Sequence, residues 1–241
     1  MLHRLMSLIL IAATGIVALT ACGGNNAEPA APLPTATPAP AQAAPLPAGN
    51  AAEGFRVFRI VAQESEVTYQ VKEEFLGGAG QIDKLAGFFN PIGRTSNIQG
   101  ELQLAISGSQ VQLGDNFFEV DLRTLTTDDS RRDRRIREKY LESNKYPLAR
   151  FTASQLQNFP PAAAEGEAVP FQLLGDMTIR DITQPVTFDV VATLKGSKLT
   201  GTATTRLFMK DFGFDPPSIA NILKVSDGVT VTLTFAATAE R

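Results

Sequence analysis

Few side chains in this sequence could perform chemistry, and their spacing decides what kind. Asp121, Asp128 and Asp211 are the carboxylates that an acid/base reading would use. Two of them are flanked by threonine or sit at turn positions, where carboxylates cap backbone amides instead. The run Arg131-Arg132-Asp133-Arg134-Arg135 offers guanidinium forks that match phosphate oxygens. Its alternating signs point elsewhere, because Asp133 and Arg137, like Arg134 and Glu138, are four apart and suited to pairing on a solvated helical face. Tyr69 and Tyr140 combine a ring with a hydroxyl that needs a partner when buried, and packing is their expected role. No spacing demands two acids in one cleft, so no catalytic residue is expected.

The inventory removes most other chemistry. His3 is the only histidine, Cys22 the only cysteine, and tryptophan is absent. If the chain is cut before Cys22 and the thiol is modified, neither imidazole nor free sulfur remains for nucleophilic triads, zinc or haem, and no disulfide forms. No metal site and no cofactor is expected. Lysine and arginine number 22 against 25 acidic residues, and loss of Arg4 leaves 21, about −4 net, so nucleic acid is not an expected partner. All 15 phenylalanines lie after residue 54, and 44% of the chain is hydrophobic.

That cut is itself read from residues. His3 and Arg4 precede an apolar run from Leu5 to Leu19, shorter than the ~20 residues of a membrane-spanning helix and typical of a signal peptide. The run ends in Leu19-Thr20-Ala21-Cys22-Gly23-Gly24, which resembles the lipobox of bacterial lipoproteins. The resemblance implies acylation of Cys22, cleavage before it, and an exported protein held on the extracytoplasmic side of a membrane. Residues 27 to 52 are proline- and alanine-rich with almost no charge, a composition that favours extended geometry at ~3.1 Å per residue and reads as a spacer. The expected organisation is therefore a signal peptide over 1–21, a lipidated cysteine and linker over 22–52, and one domain over 53–241.

Within that domain the dominant signal is alternation with period two, which sends successive side chains to opposite faces of a strand. Val229, Val231, Leu233 and Phe235 alternate with Thr230, Thr232 and Thr234. Val186, Phe188, Val190, Ala192 and Leu194 repeat the pattern, and after a turn at Gly196-Ser197 so do Leu199, Gly201, Ala203, Thr205 and Leu207, as in a long antiparallel hairpin. Further rows are Val67, Tyr69, Val71; Leu102, Leu104, Ile106; Phe118, Val120, Leu122; and Leu173, Gly175, Met177, Ile179.

Only Ser130 to Asn144 breaks the period, with Ile136, Tyr140 and Leu141 at helical spacing behind the N-cap candidates Asp128, Asp129 and Ser130. A second helical turn is expected around Ser218 to Leu223. About eight strands with one or two short helices predict an all-β, antiparallel up-and-down barrel, because closure removes unpaired edges. An interior of that size either fills with side chains or holds one ligand. The small residues Gly175, Gly201, Ala203 and Thr205 would leave space, or else accommodate taper with phenylalanine opposite. The residues alone leave that choice open.

Four stretches, in order, resemble the YceI family of bacterial extracytoplasmic proteins: FEVDLRTLTTDDSRRDRRI from Phe118, Tyr146-Pro147 with Phe151, GDMTIRDITQPVTF from Gly175, and Asp211-Phe212-Gly213 before the valine-rich last strand. Lys210 stands where family members often carry arginine. The resemblance implies a lipocalin-like barrel whose apolar channel holds a long isoprenoid-type lipid, a polyisoprenoid or isoprenoid quinone, without chemistry. The expected channel positions are Tyr69, Val71, Leu102, Leu104, Phe118, Val120 and Leu122 on the earlier strands, and Phe151, Met177, Ile179, Phe188, Val190 and Leu207 on the middle ones. Val231, Leu233 and Phe235 come from the last strand, with Ile136 and Tyr140 from the helical segment and Phe212 and Phe214 from the Asp-Phe-Gly stretch. Whether two copies associate as a homodimer is not legible in the residues. Replacing Cys22 by Ser is expected to abolish incorporation of a clickable fatty acid and to move the protein out of the membrane pellet; continued labelling, or retention in the pellet, contradicts the anchor.

Overall fold

The structure, a computed structural model, describes residues 54–240 except 78–85, 108–109, 162 and 221. The signal peptide, Cys22 and the linker lie outside the described residues. Strands dominate because the alternating rows do form strands. β1 (Arg56–Ile60) and β2 (Glu66–Phe75) are followed by the short β3 (Gly87–Phe89) and β4 (Ile92–Thr95), then by β5 (Ile98–Ser107) and β6 (Gln110–Asp121). After the helical segment come β7 (Leu148–Gln157), β8 (Ala168–Ile179), β9 (Ile182–Lys195) and β10 (Lys198–Phe208), and last β11 (Ser218–Ile219) and β12 (Leu223–Ala239). Every pairing is antiparallel.

Closure comes from two interrupted staves. β12 pairs with β10 along one edge, while its other edge is shared by β2, up to Thr234↔Glu66, and β1, from Ala237↔Ile60 onward. β1 and β2 thus act as one stave, and β4 and β5, which pair with them in turn, act as the next. The ring therefore has eight staves, running through β6, β7, β8, β9, β10 and β12 back to β1 and β2. Where the first stave jogs, buried Ser65 replaces the missing rungs: its hydroxyl donates to the Val61 carbonyl at 2.9 Å and accepts from the Ala236 N–H at 3.1 Å.

The weakest seam lies between β6 and β7, which pair only from Phe118↔Phe151 to Asp121↔Leu148. Just past that stretch the Asn116 side chain imitates a peptide unit. Its Oδ1 accepts from the Ala153 N–H at 2.7 Å, and its Nδ2 donates to the Ala153 and Gly114 carbonyls at 2.9 and 3.0 Å. Register shifts in β5–β6, β7–β8 and β12–β2 supply the local bends and extra twist that a small closed sheet needs.

The helical segment is shorter and less regular than its spacing predicts. α1 spans Ser130–Arg135, capped by Asp129, whose carboxylate accepts from the Arg131 N–H. It then widens into a π turn over Ile136–Tyr140, closed by Leu141 N–H donating to the Ile136 carbonyl. The expected Asp133–Arg137 pair is replaced by tertiary anchors. Asp133 is buried and accepts from the Thr127 N–H and hydroxyl at 2.8 and 2.6 Å, and Arg137 donates to the Leu125 carbonyl at 2.9 Å. Among the described residues Arg134 and Glu138 do not pair. Among the described residues the expected second helical turn is absent too: Ser218 and Ile219 pair with Lys224 and Leu223 in a tight hairpin, consistent with the extended backbone that Pro216-Pro217 imposes just before it.

Asn116→Leu keeps the side-chain size but strands the Ala153 amide and carbonyl at the weak seam. At about 1–3 kcal/mol for each buried group left unpaired, the variant should lose about 2–4 kcal/mol in urea denaturation. A loss under about 0.5 kcal/mol would mean that the seam does not depend on this side chain.

Candidate functional site

The inward rows do not meet. They enclose a cavity of about 1120 Å³ that extends from the α1 end of the barrel, at Phe75, Ile136, Tyr140, Ile219 and Leu223, to the β9–β10 hairpin end, at Ile106, Leu156, Phe159 and Leu194. That volume lies at the upper limit of ordinary small-molecule pockets, ~300–1,000 Å³. β9 has 14 residues, which at ~3.3 Å per residue and a tilt of ~40° makes the tunnel roughly 30–35 Å long.

Every expected channel position lies on this wall: Tyr69 and Val71 from β2, Leu102 and Leu104 from β5, Phe118 and Val120 from β6 with Leu122 just after it, Phe151 from β7, and Met177 and Ile179 from β8. Phe188 and Val190 of β9, Leu207 of β10 and Val231, Leu233 and Phe235 of β12 complete the staves, and Ile136, Tyr140, Phe212 and Phe214 complete the α1 end. Val231, Leu233 and Phe235 are only half-buried although they point inward, because the lumen beside them is open. Phe58, 0% exposed, and Phe212, 2% exposed, are the most deeply buried rings of the wall.

Of the four small residues expected to hold the lumen open, only Ala203 borders it. Thr205 turns its hydroxyl to the Thr187 carbonyl at 2.7 Å. The glycines act differently, by leaving room for rings on the wall. A Cβ on Gly175 would fall 2.8 Å from the Phe151 ring and 2.2 Å from a backbone oxygen, and one on Gly201 would fall 3.0 Å from the Phe235 ring and 2.3 Å from another. Gly93 under Tyr69 and Gly100 under Phe118 repeat the arrangement, at 2.0 and 2.8 Å. Each ring occupies space that a Cβ would need, which spares the lumen.

Several wall residues escaped the sequence reading. Glu73 and Phe75 continue the row Val67, Tyr69, Val71, so the signal was present and ended too early. Phe58 and Ile60 sit in a five-residue strand too short for alternation to speak, and Arg56, Glu165 and Glu167 join the wall only through tertiary placement.

Charge gathers at the α1 end, where Glu73, Asp129, Arg131, Arg132 and Arg135 reach the wall. Arg132 lies 2.5 Å from Asp128 and 3.5 Å from Glu73. Burial raises the Glu73 carboxyl above its ordinary range, against the opposing pull of Arg132. Burial also raises the Tyr69 phenol, helped by nearby Asp133, so this hydroxyl stays protonated. The Arg131 hydrogen bonds hold Asp129 down at about 2. The three candidate acids do not converge. Asp121 is held below its ordinary range despite burial, because it accepts from the Arg123 backbone and guanidinium at 2.7–2.9 Å. Asp128 pairs with Arg132, and Asp211 is exposed on the turn after β10, its backbone carbonyl accepting from Gln184 at 2.8 Å.

A family model described as "YceI-like domain" matches residues 58–237. Among solved structures, BcnA of Burkholderia cenocepacia is similar with a TM-score of 0.55 and 17% identity, covering 74% of this chain and 99% of that one. A polyisoprenoid binding domain from Saccharophagus degradans, implicated in plant cell wall breakdown, is similar with a TM-score of 0.54 and 14% identity, covering 78% and 99%. At these identities the likeness is one of fold. No curated protein matches.

Glu73 sets a pH dependence. A carboxyl whose pKa is higher in the folded state binds its proton more readily there, so it costs nothing well below the unfolded value of 4.5 and destabilises increasingly as pH rises through the folded value. Glu73→Gln should therefore melt higher than the parent at pH 8, with the advantage shrinking toward pH 4. A variant whose relative stability falls as pH rises would show that the Arg132 pair outweighs burial.

Proposed function

The chain belongs to the YceI-like domain family, and on that premise we propose that it is a non-enzymatic binding protein that holds a long apolar lipid of the isoprenoid type in its barrel. The observation that carries this reading is the elongated lumen of about 1120 Å³, walled from end to end by aliphatic and aromatic rows, of which Leu102, Phe118, Val231, Leu233 and Phe235 stay half-buried beside it. Such a wall gains about 25 cal/mol for each Å² of apolar surface removed from water, so an extended hydrocarbon binds without a matching set of polar contacts. The polyisoprenoid named for the Saccharophagus degradans domain supports that class of occupant, and the tube's length and narrowness suit a linear chain better than a compact one.

The same proposal places the protein outside the cytoplasm, tethered through acylated Cys22 and the spacer over 22–52. The supporting observation is the lipobox-like sequence. A single acyl chain gives only marginal, reversible membrane binding, so stable tethering needs more than one chain on the new N-terminus. Holding the lipid requires no proton transfer and no bond cleavage. The protein's work is to shield an insoluble chain from water and to present it where the tether allows.

Gentle purification followed by organic extraction and mass spectrometry should release a prenyl lipid in near-stoichiometric amount. Ala203→Phe, which introduces a ring on the wall beside Val190 and Leu233, should fold and yield little or none. Equal lipid from both proteins, or none from the parent together with no thermal stabilisation by added prenyl compounds, would overturn the assignment.

A further inference from the structure

We propose that the α1 end of the barrel rests on a bilayer containing anionic lipid, so that the mouth of the tunnel opens directly onto the membrane. Among the described residues β3 is hydrogen-bonded only to β2. Its two phenylalanines point to opposite faces and both are exposed, Phe88 by 63% and Phe89 by 50%. A single partner side chain can cover one face of such a strand, whereas immersion in an interface covers both. Leu76, 47% exposed, and Phe208, 43% exposed, belong to the same end, and Phe208 is also part of the tunnel wall. The exposed apolar surface is therefore continuous with the lumen.

Charge selects the occupant. The segment 128–140 holds six basic residues against four acidic ones, a net of +2 in a chain whose net charge is −3. Three of its four acids are spent internally: Asp133 faces Thr127, Asp129 binds Arg131 and Asp128 binds Arg132. Arg134 and Arg135 are exposed and have no ion pair among the described residues. This cationic segment lies beside β3, because Arg132 reaches Glu73, the register partner of Phe89. Lys72 sits with its ammonium 4.5 Å from the Phe88 ring, adding a third cation to the aromatic edge. Exposed aromatic rings with flanking basic residues are the composition that settles at a headgroup boundary. A lipid leaving the bilayer would then enter the lumen without crossing water.

Docking of this kind takes its purpose from the lipid-binding reading and rests on it, but its test is read outside the tunnel. The chain has no tryptophan, so Phe88→Trp gives one fluorophore at the rim and Val191→Trp, on the outer face of β9, gives a control. The full-length variants are placed with vesicles of phosphatidylethanolamine and phosphatidylglycerol carrying brominated acyl chains. Emission from the Phe88→Trp variant should move to shorter wavelength and be quenched by bromine, while the control should show neither change. Adding Arg134→Gln and Arg135→Gln should lower the docked-to-free ratio about 30-fold, and high salt should act in the same direction. Quenching of the rim fluorophore no greater than in the control overturns the proposal, and so does a blue shift that follows protein concentration without bromine quenching, which would assign the surface to a second copy of the chain. Lipid recovered on extraction without docking would leave the binding reading intact and remove only this one.

Discussion

The structure depends on closing a sheet whose inward side chains cannot fill the space they enclose. Eight staves form a ring in which backbone donors and acceptors are satisfied laterally, so the wall can stand without a packed centre. Where the ladder falters, polar side chains substitute for peptide groups. Ser65 bridges the jog between β1 and β2, and Asn116 supports the short β6–β7 seam. These contacts hold the ring closed at the two places where the backbone ladder itself is interrupted or short.

Wall thickness is the second half of the same constraint. A phenylalanine or tyrosine pointing straight inward would close the tube. Glycine on the neighbouring strand lets the ring occupy the space over its Cα instead, as at Gly175 with Phe151 and Gly201 with Phe235. The cost is specificity of position, since a side chain at either glycine would meet backbone oxygen as well as ring. A hollow apolar tube is therefore written partly in residues that never touch its contents.

Much of this was legible in the sequence, and the omissions have physical causes. Period-two rows placed their residues on the inner face because strand geometry leaves no other choice once an apolar row exists. The same rows could not say whether opposite walls touch, since that depends on stave number and tilt and not on any one strand. The glycines were readable as small but not as seats for rings, because cross-strand register is invisible locally. The helical segment misled for a related reason. Four-residue spacing suggested surface pairs, whereas Asp133 and Arg137 were claimed by Thr127 and Leu125, partners that lie close in space and follow a different logic. The helical turn expected around Ser218 to Leu223 gave way to the hairpin of β11 with β12, a pairing that local spacing does not reveal and that puts Ile219 and Leu223 on the tunnel wall.

Acidic and basic groups at the α1 end, aliphatic walls through the middle and the anchor proposed at Cys22 describe one device only if the lumen accepts extended hydrocarbon. Calorimetric titration with a series of prenyl alcohols of increasing length tests that most directly. The account predicts that each added carbon strengthens binding by about 0.8 kcal/mol, with a negative heat-capacity change, until the tube is full and the gain stops. Affinity that does not depend on chain length would contradict it.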